Sequence, residues 1–65
     1  MQFRQFWIIQ CRSSGQFMTD ECGYTQLVTK AGRLYDLYEA VETARYHLES
    51  DYIVFSAWDI DSEIH

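Results

Sequence analysis

The sequence predicts an α+β fold: a small three-stranded antiparallel sheet in the order 2-1-3, connected ββαβ, with one helix packed on one face. Three observations lead there. Residues 36–48, DLYEAVETARYHL, repeat apolar side chains at helical spacing behind a capping residue. Residues 3–11, FRQFWIIQC, and 52–58, YIVFSAW, are apolar runs of strand length. The turn sequence Arg12-Ser13-Ser14-Gly15 follows the first run directly and returns the chain toward a second strand at 16–19.

The helix, expected over 36–49, organises the rest. Asp36 and Glu39 have the spacing of a capping box, in which Asp36 accepts from first-turn N–H groups and Glu39 reaches back to the Asp36 N–H. At about 100° per residue, Leu37, Ala40, Val41, Ala44 and Leu48 fall on one stripe and Glu39, Glu42, Tyr46 and Glu49 on the other side. A narrow stripe with two alanines suits close packing on a sheet.

In the first strand, Phe3, Trp7, Ile9 and Cys11 share one face, and Phe6 and Ile8 share the other with Arg4 and Gln10. Asp20-Glu21-Cys22-Gly23 interrupts the second strand as a loop or bulge, and Tyr24-Thr25 can resume it. Within 26–34, Leu27, Val28 and Ala31 fit either a helical turn or a short strand before Gly32. The last strand returns beside the first, so that Ile53, Phe55 and Ala57 meet Trp7, Ile9 and Cys11 beneath the helix. Phe6, Ile8, Tyr52, Val54 and Trp58 are then left on an uncovered face, unless residues 20–34 fold over it. An uncovered apolar face can pair with a second copy.

The 65 residues make one domain with one small core. The net charge of −5 is unevenly placed. Residues 1–35 hold Arg4, Arg12, Lys30 and Arg33 against Asp20 and Glu21, a net of +2, whereas 36–65 hold eight acids against Arg45 alone, a net of −7. An acidic half repels phosphate and disfavours direct nucleic-acid binding. No apolar run approaches the roughly 20 residues that span a bilayer. With two cysteines, no C-x-x-C and no secretory signal, the reading is a cytoplasmic protein with both thiols free, a Cys11–Cys22 bridge being the alternative.

Candidate chemistry is sparse. Asp59, Asp61, Glu63 and His65 lack the glycine and the full spacing of a calcium loop, and alternate acids in a strand simply share a solvated face. His47, His65, Cys11 and Cys22 have none of the paired spacings of a zinc site. Cys11 with His47 lacks any nucleophile motif, and Gly15, Gly23 and Gly32 are isolated, so no phosphate loop exists. The expectation is no catalytic residue, no metal and no cofactor. The polar helix face is the remaining candidate. Glu39, Glu42, Tyr46 and Glu49, with Asp51, Trp58, Asp59 and Asp61 beyond them, would bind a partner through acids and aromatic anchors. Arg45 sits where it can pair with Glu42 or Glu49, so ordinary helix salt-bridging accounts for part of the pattern.

The layout FWIIQCRSSGQFMT, TQLVTKAGRLYDLYEAVETA, YIVF resembles a recurring kind of short phage or prophage protein. The resemblance rests on Trp7, Gly15, Phe17, Thr25, Leu27, Ala31, Tyr35, Glu39, Ala40 and Ala44, and it transfers no functional residue. It implies an anti-defence, anti-CRISPR-like inhibitor that binds a bacterial host protein in the cytoplasm of an infected or lysogenic cell. The alternative is a homo-oligomer whose free sheet faces pair and enclose a small ligand such as a signalling nucleotide between subunits, in which Arg4, Arg12 and Arg33 would meet the phosphates.

Overall fold

The computed structural model describes residues 2–61, with side chains described from 3 to 59. The chain runs β1 (Gln2–Cys11), β2 (Phe17–Met18), β3 (Tyr24–Thr25), a 3₁₀ turn (Val28–Lys30), α1 (Leu37–Leu48) and β4 (Tyr52–Asp61). The class is α+β, with one helix and a four-stranded antiparallel sheet in the order β3-β2-β1-β4. The expected three strands in order 2-1-3 are contained in it, but residues 24–25 are a separate strand rather than a resumption of the second. The reason is local. Cys22 adopts φ 62°, its N–H donates to the Thr19 carbonyl, and the Thr19 N–H donates to the Gly23 carbonyl at 2.9 Å. These bonds close a tight reverse turn, and β3 runs back along β2 with Phe17 opposite Thr25.

β1 and β4 form a ladder of ten residue pairs from Gln2–Asp61 to Cys11–Tyr52. Paired residues share a face. Ile9 therefore stands beside Val54, Cys11 beside Tyr52, and Gln5 beside Trp58, while Ile8 stands beside Phe55 and Gln10 beside Ile53. This corrects the expected packing of β4. Tyr52 and Val54 lie under α1 against Ile9, Met18 and Ala44, and Ile53, Phe55 and Ala57 belong to the opposite face with Phe6 and Ile8. β4 is apolar on both faces, so its alternation alone does not tell which face meets the helix.

The Asp36 carboxylate caps α1 by accepting from the Glu39 N–H at 3.3 Å. Among the described residues the reciprocal bond from Glu39 to Asp36 is not made. Ala40 and Ala44 are fully buried, so the helix backbone approaches the sheet closely over Ile9, the one large side chain among the described residues with under 2% exposure. Burial of such a side chain contributes about 1.5–3 kcal/mol. Val41 and Leu48 are half-buried, as the stripe requires, but Leu37 is exposed because it sits at the helix entry.

Residues 31–34 fill the gap where β2 leaves β1. The Gly32 N–H donates to the Met18 carbonyl at 2.8 Å, and Leu34 exchanges two backbone bonds with Trp7 at 2.7 and 2.9 Å. The backbone of the segment therefore lies in the plane of the sheet, while the Arg33 side chain reaches over Phe6 on the face away from the helix, where Ile8 is buried. A Cβ on Gly32 would stand 2.8 Å from the Asp20 nitrogen and 2.9 Å from the Thr19 carbonyl carbon. The helix leaves through Glu49, at φ 59° and ψ −100°, in a turn closed by the Asp51 N–H donating to the Leu48 carbonyl. This is the geometry of a type II′ turn, whose first central position favours glycine.

Two substitutions test this account by thermal and urea unfolding. Glu49→Gly relieves the positive-φ strain and is expected to stabilise by about 1 kcal/mol. Gly32→Ala pushes backbone against backbone and is expected to cost about 1–3 kcal/mol.

Candidate functional site

The outward surface of α1 carries the first group of candidate residues. Glu42, Arg45, Tyr46, Glu49 and Ser50 line one open depression, with Glu39 exposed a turn back toward the helix start. The spacing explains this, because residues three, four and seven apart repeat on one helix face. Glu42 accepts from Arg45 at 3.4 Å, an exposed pair worth about 0–1 kcal/mol. Tyr46 is 84% exposed, and its ring meets His47 edge-on at 4.9 Å between centroids. Tyr38, 72% exposed, adds a second ring to the solvent side of α1. Tyr38 was not among the expected site residues, although its spacing of four residues from Glu42 places it beside that face.

The remaining candidates do not join this surface. Trp58 is 64% exposed and stands on the helix side of the sheet, far along the β1–β4 ribbon, diagonal to the equally bare Phe3. Asp59 lies on the opposite face, where Arg33 donates to its carboxylate. That hydrogen bond is the main reason the Arg33 pKa is raised above its ordinary value. The backbone of Asp61 pairs with Gln2, and its side chain lies outside those described. Glu63 and His65 also lie outside the described residues. Asp51 faces the β1–β2 turn, and hydrogen bonding to Ser13 holds its carboxyl below the usual range, with a smaller contribution from the Cys11 Sγ at 3.5 Å. Asp51 thus ties the β1–β2 turn to the head of β4, and the Arg12 N–H donates to its carbonyl at 3.1 Å.

The three arginines considered for nucleotide phosphates each have an internal contact. Arg4 stacks on the Tyr35 ring at 3.7 Å, Arg33 lies over Phe6 at 4.5 Å, and Arg12 reaches the Tyr52 carbonyl at 3.5 Å. A cavity of about 100 Å³ sits between β1, the β2–β3 turn and α1, with Thr19, Asp20, Cys22 and Thr43 among its lining residues. It is smaller than the roughly 300–1,000 Å³ of drug-sized ligand sites. Among the described residues no group of three His, Cys, Asp or Glu side chains could hold a metal ion. No helix is long and apolar enough to cross a membrane among those residues. Comparison with protein-family models, curated proteins and solved structures finds no match to this chain.

Because its pKa is lowered by folding, Asp51 contributes stability that is complete above the unfolded carboxylate pKa of about 3.9 and is lost as pH falls through the lower folded value. Urea unfolding across a pH series is expected to show Asp51→Asn less stable than the parent at neutral pH, with the gap closing at acidic pH.

Proposed function

We propose that this protein acts by stoichiometric binding rather than by chemistry: a phage-type inhibitor that docks on a bacterial host protein through the acidic outer face of α1. The target class that best fits is a nucleic-acid-binding defence component, such as a CRISPR–Cas protein. The observation that carries the reading is the gathering of Glu42, Tyr46 and Glu49 around one open depression that no other described element covers. With Glu39 at the near end, the carboxylates extend along about 15 Å of helix at 1.5 Å per residue. Such a line of negative charge can occupy a groove built for a phosphate backbone, and it speeds encounter with a basic partner. Tyr46 supplies the large amphipathic ring that commonly anchors an interface. The phage and anti-defence setting rests on the layout resemblance; the helix surface supports only an acidic docking face.

The alternative of a nucleotide-holding oligomer has less support. Its cations already contact Tyr35, Phe6, Asp59 and the Tyr52 carbonyl.

The test is a tagged pull-down from bacterial lysate read by native mass spectrometry, followed by affinity measurements on the protein it identifies. A one-to-one complex that weakens as salt rises is expected. The triple variant Glu42→Lys, Glu49→Lys, Tyr46→Ala is expected to bind roughly a hundredfold more weakly, about 2.7 kcal/mol. Full affinity in that variant, or binding indifferent to salt, overturns the helix-face reading.

A further inference from the structure

The two outer strands of the sheet are finished very differently. β3 is two residues long, a length that offers little to a foreign strand. β4 is ten residues long, lies at the other edge and carries no proline, glycine or lysine. Proline and lysine are among the usual devices that keep an edge from pairing with another chain.

Which backbone groups of β4 face outward follows from the register. Trp7 exchanges both of its backbone bonds with Leu34, on the side of β1 away from β4, and Cys11 bonds to Gln16 and Gly15 on that same side. The pairs Trp7–Ser56 and Cys11–Tyr52 are therefore the non-bonded pairs of the β1–β4 ladder. The alternation then turns the N–H and C=O groups of Val54, Ser56 and Trp58 to the free edge. Among the described residues no hydrogen bond reaches these groups from that side.

Beside this edge lies one flank of α1. Thr43 faces the cavity on the β2 side. At about 100° per residue, the opposite flank carries Leu37, Val41 and Leu48, on the β4 side of the buried Ala40–Ala44 line. Leu37 is half exposed, as is the larger part of Trp58. An unpaired backbone row next to an apolar helix flank is the arrangement that takes an added strand, main-chain bonds supplying affinity and alternate side chains entering the apolar side.

The charge selects the occupant. Self-pairing of β4 would bring together two chains of net charge −5, each carrying Asp59 and Asp61 on the pairing strand. A second copy is disfavoured for that reason, and a segment rich in lysine or arginine is favoured. We infer that the free edge of β4 accepts an extended, basic peptide segment of a partner protein as an additional strand, its alternate apolar residues facing the flank of α1. This surface is distinct from the outer face of α1 and does not depend on it.

The experiment uses the full chain, labelled with ¹⁵N, and a short blocked peptide alternating valine and lysine at roughly millimolar concentration, the range of weak binding. The amide signals of Val54, Ser56 and Trp58 are expected to shift, and their hydrogen exchange to slow by about tenfold. N-methylation of alternate peptide residues, or glutamate in place of lysine, is expected to weaken binding by about tenfold or more. Ser56→Pro, which removes one outward N–H, is expected to abolish the shifts; the peptide comparisons decide the matter should that variant fail to fold. Three outcomes overturn the inference: equal binding of the N-methylated peptide, shifts confined to other residues, or concentration-dependent protection of the β4 amides without peptide, which would make a second copy the occupant. Since the readout is the β4 amides, either reading can fail without the other.

Discussion

The packing of two helix alanines against the sheet is the constraint on which most of the structure depends. Ala40 and Ala44 are fully buried, so α1 rests on the sheet over Ile9 with no large side chain between the two backbones at that point. A helix held this close leaves little volume beneath it. Among the described residues only Ile9 of the large side chains is fully buried; Met18 is buried beside it, and Leu34, Leu48, Tyr52 and Val54 close the rim. The domain therefore keeps a core whose small size is typical of a short chain, and its many aromatic rings lie at or beyond the margin of that core.

The same geometry sorts the charges. Arg4 and Arg33 lie against rings on the open side of the sheet, where each cation covers apolar surface as well as meeting a π face, worth about 0.5–1 kcal/mol at exposed sites. Arg33 also holds Asp59, and Asp51 is drawn into the turn between β1 and β2. The carboxylates left facing solvent as a group are those of α1, with Arg45 beside Glu42 as a partial counterweight. The acidic surface is thus what remains after the sheet has engaged most of the arginines.

Long β1 and β4 extend past the helix, which at about 1.5 Å per residue spans roughly half the length of the ribbon. The distal part of the ribbon exposes Phe3 and Trp58, and β4 keeps one edge without a neighbouring strand. Residues 31–34 show how the opposite edge of β1 is closed: Gly32 permits the chain to press against Thr19 and Asp20, and Leu34 pairs with Trp7. No comparable segment follows β4 among the described residues.

Local chemistry made several elements readable from the sequence alone. Asp36 three residues before Glu39 marked the helix start, the alanine spacing marked its buried face, and Arg12 to Gly15 marked the first turn, because caps, stripes and tight turns depend on residues close in the chain. The acidic helix face was legible for the same reason. Tertiary structure decided what depends on residues far apart. β4 is apolar on both faces, and only its register against β1 put Val54 under the helix and Phe55 on the open side. The strand at 24–25 depends on Cys22 accepting a left-handed conformation that its type does not favour. The candidate residues were separated for a related reason: Asp51 and Asp59 found internal partners contributed by the distant Ser13 and Arg33, and no spacing along the chain encodes such a meeting.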